Sequence, residues 1–216
     1  MSDIFREVDE EVRKDKFQAL WKQYGVYVYI VIGALVLGTA FNVWWRDYQQ
    51  NRRLEDSARY QAAVALLDEQ QTTEAINALA ALAEDAGTGY AVIARLREAA
   101  VKAGEGDLDG AVRAYDMLIQ DDGVAQIYRD LARLLSAMHL VDSAAAEAVR
   151  ERLGPLLQDV SPWRFSAREI DAMLALRDGQ RGRAREVLQA LVDDAETPAG
   201  VRQRASELLA ALASEG

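Results

Sequence analysis

Between Lys22 and Arg46 the chain runs for 23 residues without a charged side chain, QYGVYVYIVIGALVLGTAFNVWW. A helix this long and apolar has two places to bury itself, a protein core or a bilayer. Taken from Tyr24 to Trp45, it measures roughly 33 Å at about 1.5 Å per residue, against a hydrocarbon core of about 30 Å. Trp21, Tyr24, Tyr27 and Tyr29 gather at one end and Trp44, Trp45 and Tyr48 at the other, the depth where amphipathic rings favour the headgroup layer. The reading is a single transmembrane helix over 24–45. A signal peptide cut near the small residues Gly38 and Ala40 is the alternative. The length of the apolar run and the 22 residues ahead of it argue against that.

Five basic residues from Arg6 to Lys22 face four from Arg46 to Arg59, so the positive-inside rule leans by a thin margin toward a cytoplasmic N-terminus. Within the span, Ala34 and Gly38 form a small-xxx-small pair, with Asn42 one turn on; lipid-facing packing is the plainer account of them. Ahead of the span, residues 1–23 lack Pro and carry Phe5, Val8 and Val12 at helical spacing among charges, which predicts a short amphipathic leader helix.

Residues 46–216 hold 20 basic and 29 acidic side chains, and their apolar positions recur every three or four residues. No Gly or Pro falls between Gly38 and Gly87, so the spanning helix is expected to continue as a stalk to about Glu69 and to break at Gln70 to Thr73. Further helices are expected near 73–85, 89–103, 108–121, 124–140, 144–157, 162–178, 181–194 and 198–213. Ser161-Pro162 and Thr197-Pro198 each set a capping hydroxyl before a proline suited to a first helical turn.

Successive short helices call for a search for a period. Ala63 and Ala75 lie 12 residues apart, as do Ala99 and Ala111, and Ala172 and Ala184. Each second alanine is followed four and seven residues later by bulk: Leu79 and Leu82, Tyr115 and Leu118, Leu188 and Leu191. Small residues on two antiparallel helices let the axes approach, and bulk one turn on fills the space between hairpins. A degenerate unit is expected over 124–157, where the register near Ala144 to Ala148 stays open. These intervals, most fully in GEGDLDGAVRAY (Gly104 to Tyr115), resemble the tetratricopeptide repeat, although the early Trp, the Tyr and the closing Pro of that pattern are missing.

Chemistry finds little to work with. With no Cys and one His, the usual nitrogen and sulfur zinc site and a thiol nucleophile are out of reach. A net charge of -10 argues against nucleic acid as a partner. His139, in LLSAMHL, reads as a partly exposed structural side chain. Arg177, Arg181, Arg183 and Arg185 read as a solvated basic run about a turn, and Asp121-Asp122 and Asp193-Asp194 as helix ends. Gly104, Gly106 and Gly110 lack the preceding strand and following Lys-Ser or Lys-Thr of a phosphate loop. No enzyme and no cofactor are expected.

The leader SDIFREVDEEVRKDKFQALWKQYG, the span ending in Trp-Trp and the helices including SPWRFSAREIDAML together resemble the bacterial tetratricopeptide-like single-pass membrane proteins typified by the ancillary subunit of the Sec translocon. That resemblance implies an all-α chain: a cytoplasmic leader (1–23), a transmembrane helix (24–45) and a periplasmic α-solenoid of antiparallel hairpins (46–216) in the bacterial inner membrane. It implies Sec translocon subunits and periplasmic chaperones as partners, with the bilayer holding the anchor and no catalysis. It also implies that the first helix of each hairpin lines a concave side, with Tyr60, Asp68, Glu169 and Arg177 toward the groove. A structural envelope protein that coordinates wall synthesis or division by self-association is the alternative, and a holdase for unfolded clients is a third.

Overall fold

The computed structural model describes residues 3–214, with side chains from Trp21 onward except at Gly25, Val28 and Thr88. The apolar face of Phe5, Val8 and Val12 lies outside the described side chains. The chain divides into two units at Leu54, each taken by itself.

In the first unit, α1 (Asp3–Asp68) carries the uncharged run as continuous helix. It is long and apolar enough to cross a membrane, and none of its apolar window is covered by protein. A core helix of a globular domain would be covered. Thr39 folds its hydroxyl back onto the carbonyls of Leu35 and Val36, 2.9 Å from each, so that group presents no unpaired donor to lipid. Toward the end of the run, Phe41 stacks on Trp45 and Trp44 on Tyr48, with centroids 6.3 and 6.1 Å apart.

The second unit is all helix among the described residues: the end of α1, then α2 (Thr72–Asp85), α3 (Thr88–Gly104), α4 (Leu108–Gln120), α5 (Gln126–Leu140), α6 (Ala146–Leu153), α7 (Arg164–Arg177), α8 (Arg181–Asp193) and α9 (Ala199–Ser214). They pair as hairpins: α1 end with α2, α3 with α4, α5 with α6 and α7 with α8. Four apolar clusters overlap along this series, each joining one hairpin to the first helix of the next, with α9 closing the last. Each hairpin thus buries its apolar face only against its neighbours, the defining economy of a solenoid.

The expected small residues all sit at the bottom of this packing. Ala63, Ala75, Ala99, Ala111, Ala172 and Ala184 are at most 1% exposed. The open register of the third hairpin resolves at Ala137 and Val149, 12 apart and fully buried, followed by Leu153 and Leu156 at the same four- and seven-residue offsets. Val149 stands where the other hairpins have Ala, while Ala148 is exposed. A second set, Ala94, Ala132 and Ala167, five residues before each small residue, is also fully buried. Their counterpart Ala58, with no earlier hairpin to face, is exposed.

Helix boundaries follow local chemistry. α1 stops at Asp68 because Gln70 takes a positive φ of 62°, letting Gln71 N–H reach Leu66 O at 2.8 Å and Gln70 N–H reach Leu67 O at 3.1 Å. The same turn recurs at Gly106 and Gly179, where φ is 83° and 73° and glycine has no Cβ to object. Gln70 holds that conformation at a cost. Gln70→Gly should therefore raise stability by about 0.5–1 kcal/mol in chemical denaturation of the full chain.

Three expectations need correcting. The helix expected over 144–157 ends at Leu153 and tightens into a 3-10 turn, Gly154–Leu157, because Pro155 cannot donate and its ring blocks the preceding turn. Ser161 does not cap: its hydroxyl accepts from Trp163 N–H at 3.2 Å, and α7 begins only at Arg164. Trp163 is drawn onto the α5–α7 core, which holds residues 161–163 in a turn. Thr197 does not cap either. Its buried hydroxyl has no hydrogen-bond partner, and the first turn of α9 closes by Arg202 N–H donating to Pro198 O at 3.0 Å.

Candidate functional site

The first helices are the more deeply buried partners of their hairpins, yet each keeps a few exposed positions, among them Ile93, Tyr128, Met138 and Met173. α3 touches α5, α5 touches α7, and α7 touches α9, so these helices form a layer of their own. Repeat-equivalent positions therefore fall into columns across it.

One column lies nine residues before each small residue: Tyr90, Tyr128 and Trp163. Tyr60, of the first hairpin, meets Tyr90 with ring centroids 6.3 Å apart. Trp163 donates its indole N–H to Ile127 O at 3.3 Å, which ties α7 to the start of α5. Beside these rings stand Ile93 and Leu131, and beyond them Met138 and Met173, which are 45% and 38% exposed. Together they make an apolar surface with aromatic anchors and flexible thioethers, the composition of a recognition face for another chain. The residues 90, 128 and 163 were missed in the sequence, although their spacings of 38 and 35 are those of the alanines in the same hairpins.

The same repeat register carries a column of arginines. Arg59, Arg95, Arg133 and Arg168 all stand four residues before the small residue, where the tetratricopeptide pattern has its early Trp. Each is held by an acid: Asp85 at 3.3 Å, Glu98 at 2.8 Å, Asp130 at 2.9 Å and Asp159 at 3.0 Å respectively. Glu98 is 2% exposed and also accepts from Lys102 at 2.6 Å, so its charge is compensated twice. At the far ends of the first helices, Asp68, Glu105 and Asp142 are exposed and make no ion pair among the described residues.

The four residues expected at the groove divide in two. Tyr60 is half-buried against the first cluster, with its ring on Tyr90, and Asp68 is exposed at the end of α1. Glu169 and Arg177 instead engage the chain itself. Glu169 is buried and takes both arms of Arg204 from α9 at 2.6 and 2.7 Å. Arg177 donates to Val141 O and Ala144 O, 2.7 Å each, closing the one hairpin turn that lacks a positive-φ residue. Of the remaining basic run, Arg183 pairs with Asp171 at 2.9 Å, and Arg181 and Arg185 are exposed. The acidic pairs are turn formers. Asp121 accepts from Gly123 N–H and Asp194 from Glu196 N–H, both at 2.8 Å, as the chain leaves each helix. Asp122 meets Arg129 at 2.6 Å.

His139 lies flat on Tyr115, with centroids 5.9 Å apart and 16° between planes. Burial lowers the imidazole pKa from its ordinary 6.5 and pushes the Tyr115 hydroxyl up to about 12. The folded chain thus holds fewer protons at His139 than the unfolded chain does. Its contribution to stability is complete above about pH 6.5 and is lost as pH falls through the lower folded value. The melting temperature should fall between pH 7.5 and pH 5, and His139→Phe should shrink that fall.

Among the described residues no group of three or more His, Asp or Glu is placed to hold a metal ion. Compared with known proteins, residues 18–203 match the family model for the tetratricopeptide repeat-like domain. No curated protein and no solved structure matches the chain.

Proposed function

The chain belongs to the family of tetratricopeptide repeat-like domains, and on that premise we propose that it is a membrane-anchored interaction module at the bacterial Sec translocon. It would link the channel to periplasmic chaperones during export, with its N-terminus cytoplasmic and its repeat domain periplasmic. The observation that carries an interaction role is the exposed face of the first helices, whose apolar side chains stand on a scaffold already ordered by packing. A preformed surface loses little conformational freedom on binding. Tetratricopeptide-like repeats are typically non-enzymatic scaffolds, and the reading has the chain perform no catalysis of its own. The exposed Asp68 and the ring of Tyr60 serve as partner contacts, while Glu169 and Arg177 support the groove from within the chain by fixing α9 and the third turn.

The test is crosslinking in intact cells with a photoreactive residue at position 138 or 128, followed by purification through the full-length chain. Channel subunits and export chaperones among the crosslinked proteins support the reading. Self-crosslinks together with wall-synthesis enzymes would replace it with the envelope-organising role.

A further inference from the structure

We infer that the exposed face of the first helices takes an apolar partner segment that carries Lys or Arg beside its apolar side chains. This rests on the interaction reading above and adds the chemistry of the occupant. The bed of the face is Ile93, Tyr128, Leu131, Met138 and Met173, with Tyr90 beside them. Such a bed rewards apolar side chains and adapts to their shapes through the two methionines.

Charge decides what accompanies those side chains. Asp68, Glu105 and Asp142 border the bed at the C-terminal ends of successive first helices, exposed and without an ion pair among the described residues. The cations that could offset them are engaged. Arg59, Arg133 and Arg168 hold Asp85, Asp130 and Asp159, while Arg95 and Lys102 share Glu98. Arg177 is fixed on two carbonyls. Arg97 on α3 is exposed, one cation against the three acids. The border is left negative, in a region that carries 29 acids against 20 bases. A partner Lys or Arg meets carboxylates at that border and ring faces at Tyr90 and Tyr128, both favourable to a cation. An acidic segment would meet repulsion along the same line.

Two dye-labelled peptides of equal length, one alternating Leu and Lys and the other Leu and Glu, test this by fluorescence anisotropy. The full chain is held in nanodiscs of zwitterionic lipid, with empty nanodiscs as the blank. The Leu-Lys peptide should bind and the Leu-Glu peptide should not. Combining D68K with D142K, or making Tyr128→Ala with Met138→Ala, should weaken the Leu-Lys peptide about tenfold, which is about 1.4 kcal/mol. Glu147→Lys with Glu186→Lys makes the same change in net charge on exposed positions of α6 and α8 and should leave binding within about twofold.

Equal binding of the two peptides, or equal loss in the α6 and α8 variant, overturns the inference, the second because it reports net charge alone. Self-association of the full chain, abolished by the D68K and D142K pair, also overturns it by giving the face to a second copy. Crosslinks to partners in cells would survive a failed peptide experiment, so the two readings fail separately.

Discussion

Leucine in place of Ala172 should destabilise the full chain by about 3 kcal/mol or more in chemical denaturation. Overpacking a tight core typically costs about 1–3 kcal/mol and more where the surroundings cannot yield. Ala172 is fully buried on α7, opposite Ala184 on α8, and lies in the cluster that also holds Leu188, Leu191 and Val201. Three additional carbons there must displace neighbours that are themselves buried. Ala148→Leu is the matched control. It adds the same volume on exposed α6, beside the buried Val149, and should change stability by less than about 0.5 kcal/mol. Comparable losses at both positions would show that the repeat register drawn through Val149 is wrong.

Tyr115→Ala should cost about 3–5 kcal/mol, the usual range for emptying a buried aromatic site. Among the described residues, Tyr115 is the largest side chain that is less than 2% exposed. It fills the space between α4 and α5 and is stacked on His139. Tyr115→Phe keeps the ring and removes only a hydroxyl that stands 3.5 Å from the imidazole nitrogen. It should cost less than about 1 kcal/mol. A similar loss for both variants would mean that the hydroxyl rather than the ring holds this interface.

These positions also mark how far the sequence could be read. The stalk ending near Glu69 was legible because the absence of Gly and Pro leaves a helix nothing to stop it. The observed stop at Asp68 comes one residue earlier, at a turn that Gln70 makes without glycine. Three hairpins were legible because alanine marks both close approaches. The third was not, for two physical reasons. Val149 is bulkier than the alanine that was sought, and its turn carries Ala144 with an arginine clamp in place of a glycine.

The caps at Ser161 and Thr197 failed because a hydroxyl before proline is only permissive. Packing of Trp163 decided the first, and burial without a partner the second. At the candidate site, Tyr60 and Asp68 were assigned to the groove by analogy with repeat registers, and their contact with a partner is a proposal. That Glu169 and Arg177 would find partners in α9 and in the third turn depends on contacts 33 to 36 residues away, which no local pattern announces. The column of Tyr90, Tyr128 and Trp163 was within reach once the uneven spacing of the third hairpin was known.

The proposed role requires a repeat domain held at the membrane by the uncharged stretch of α1. Protease added to intact spheroplasts measures this directly. The predicted result is digestion of the region beyond Arg46 from outside, with a membrane-bound fragment that retains 24–45. A domain that resists protease until the cells are lysed, or a soluble product that lacks 24–45 before any protease is added, would contradict it.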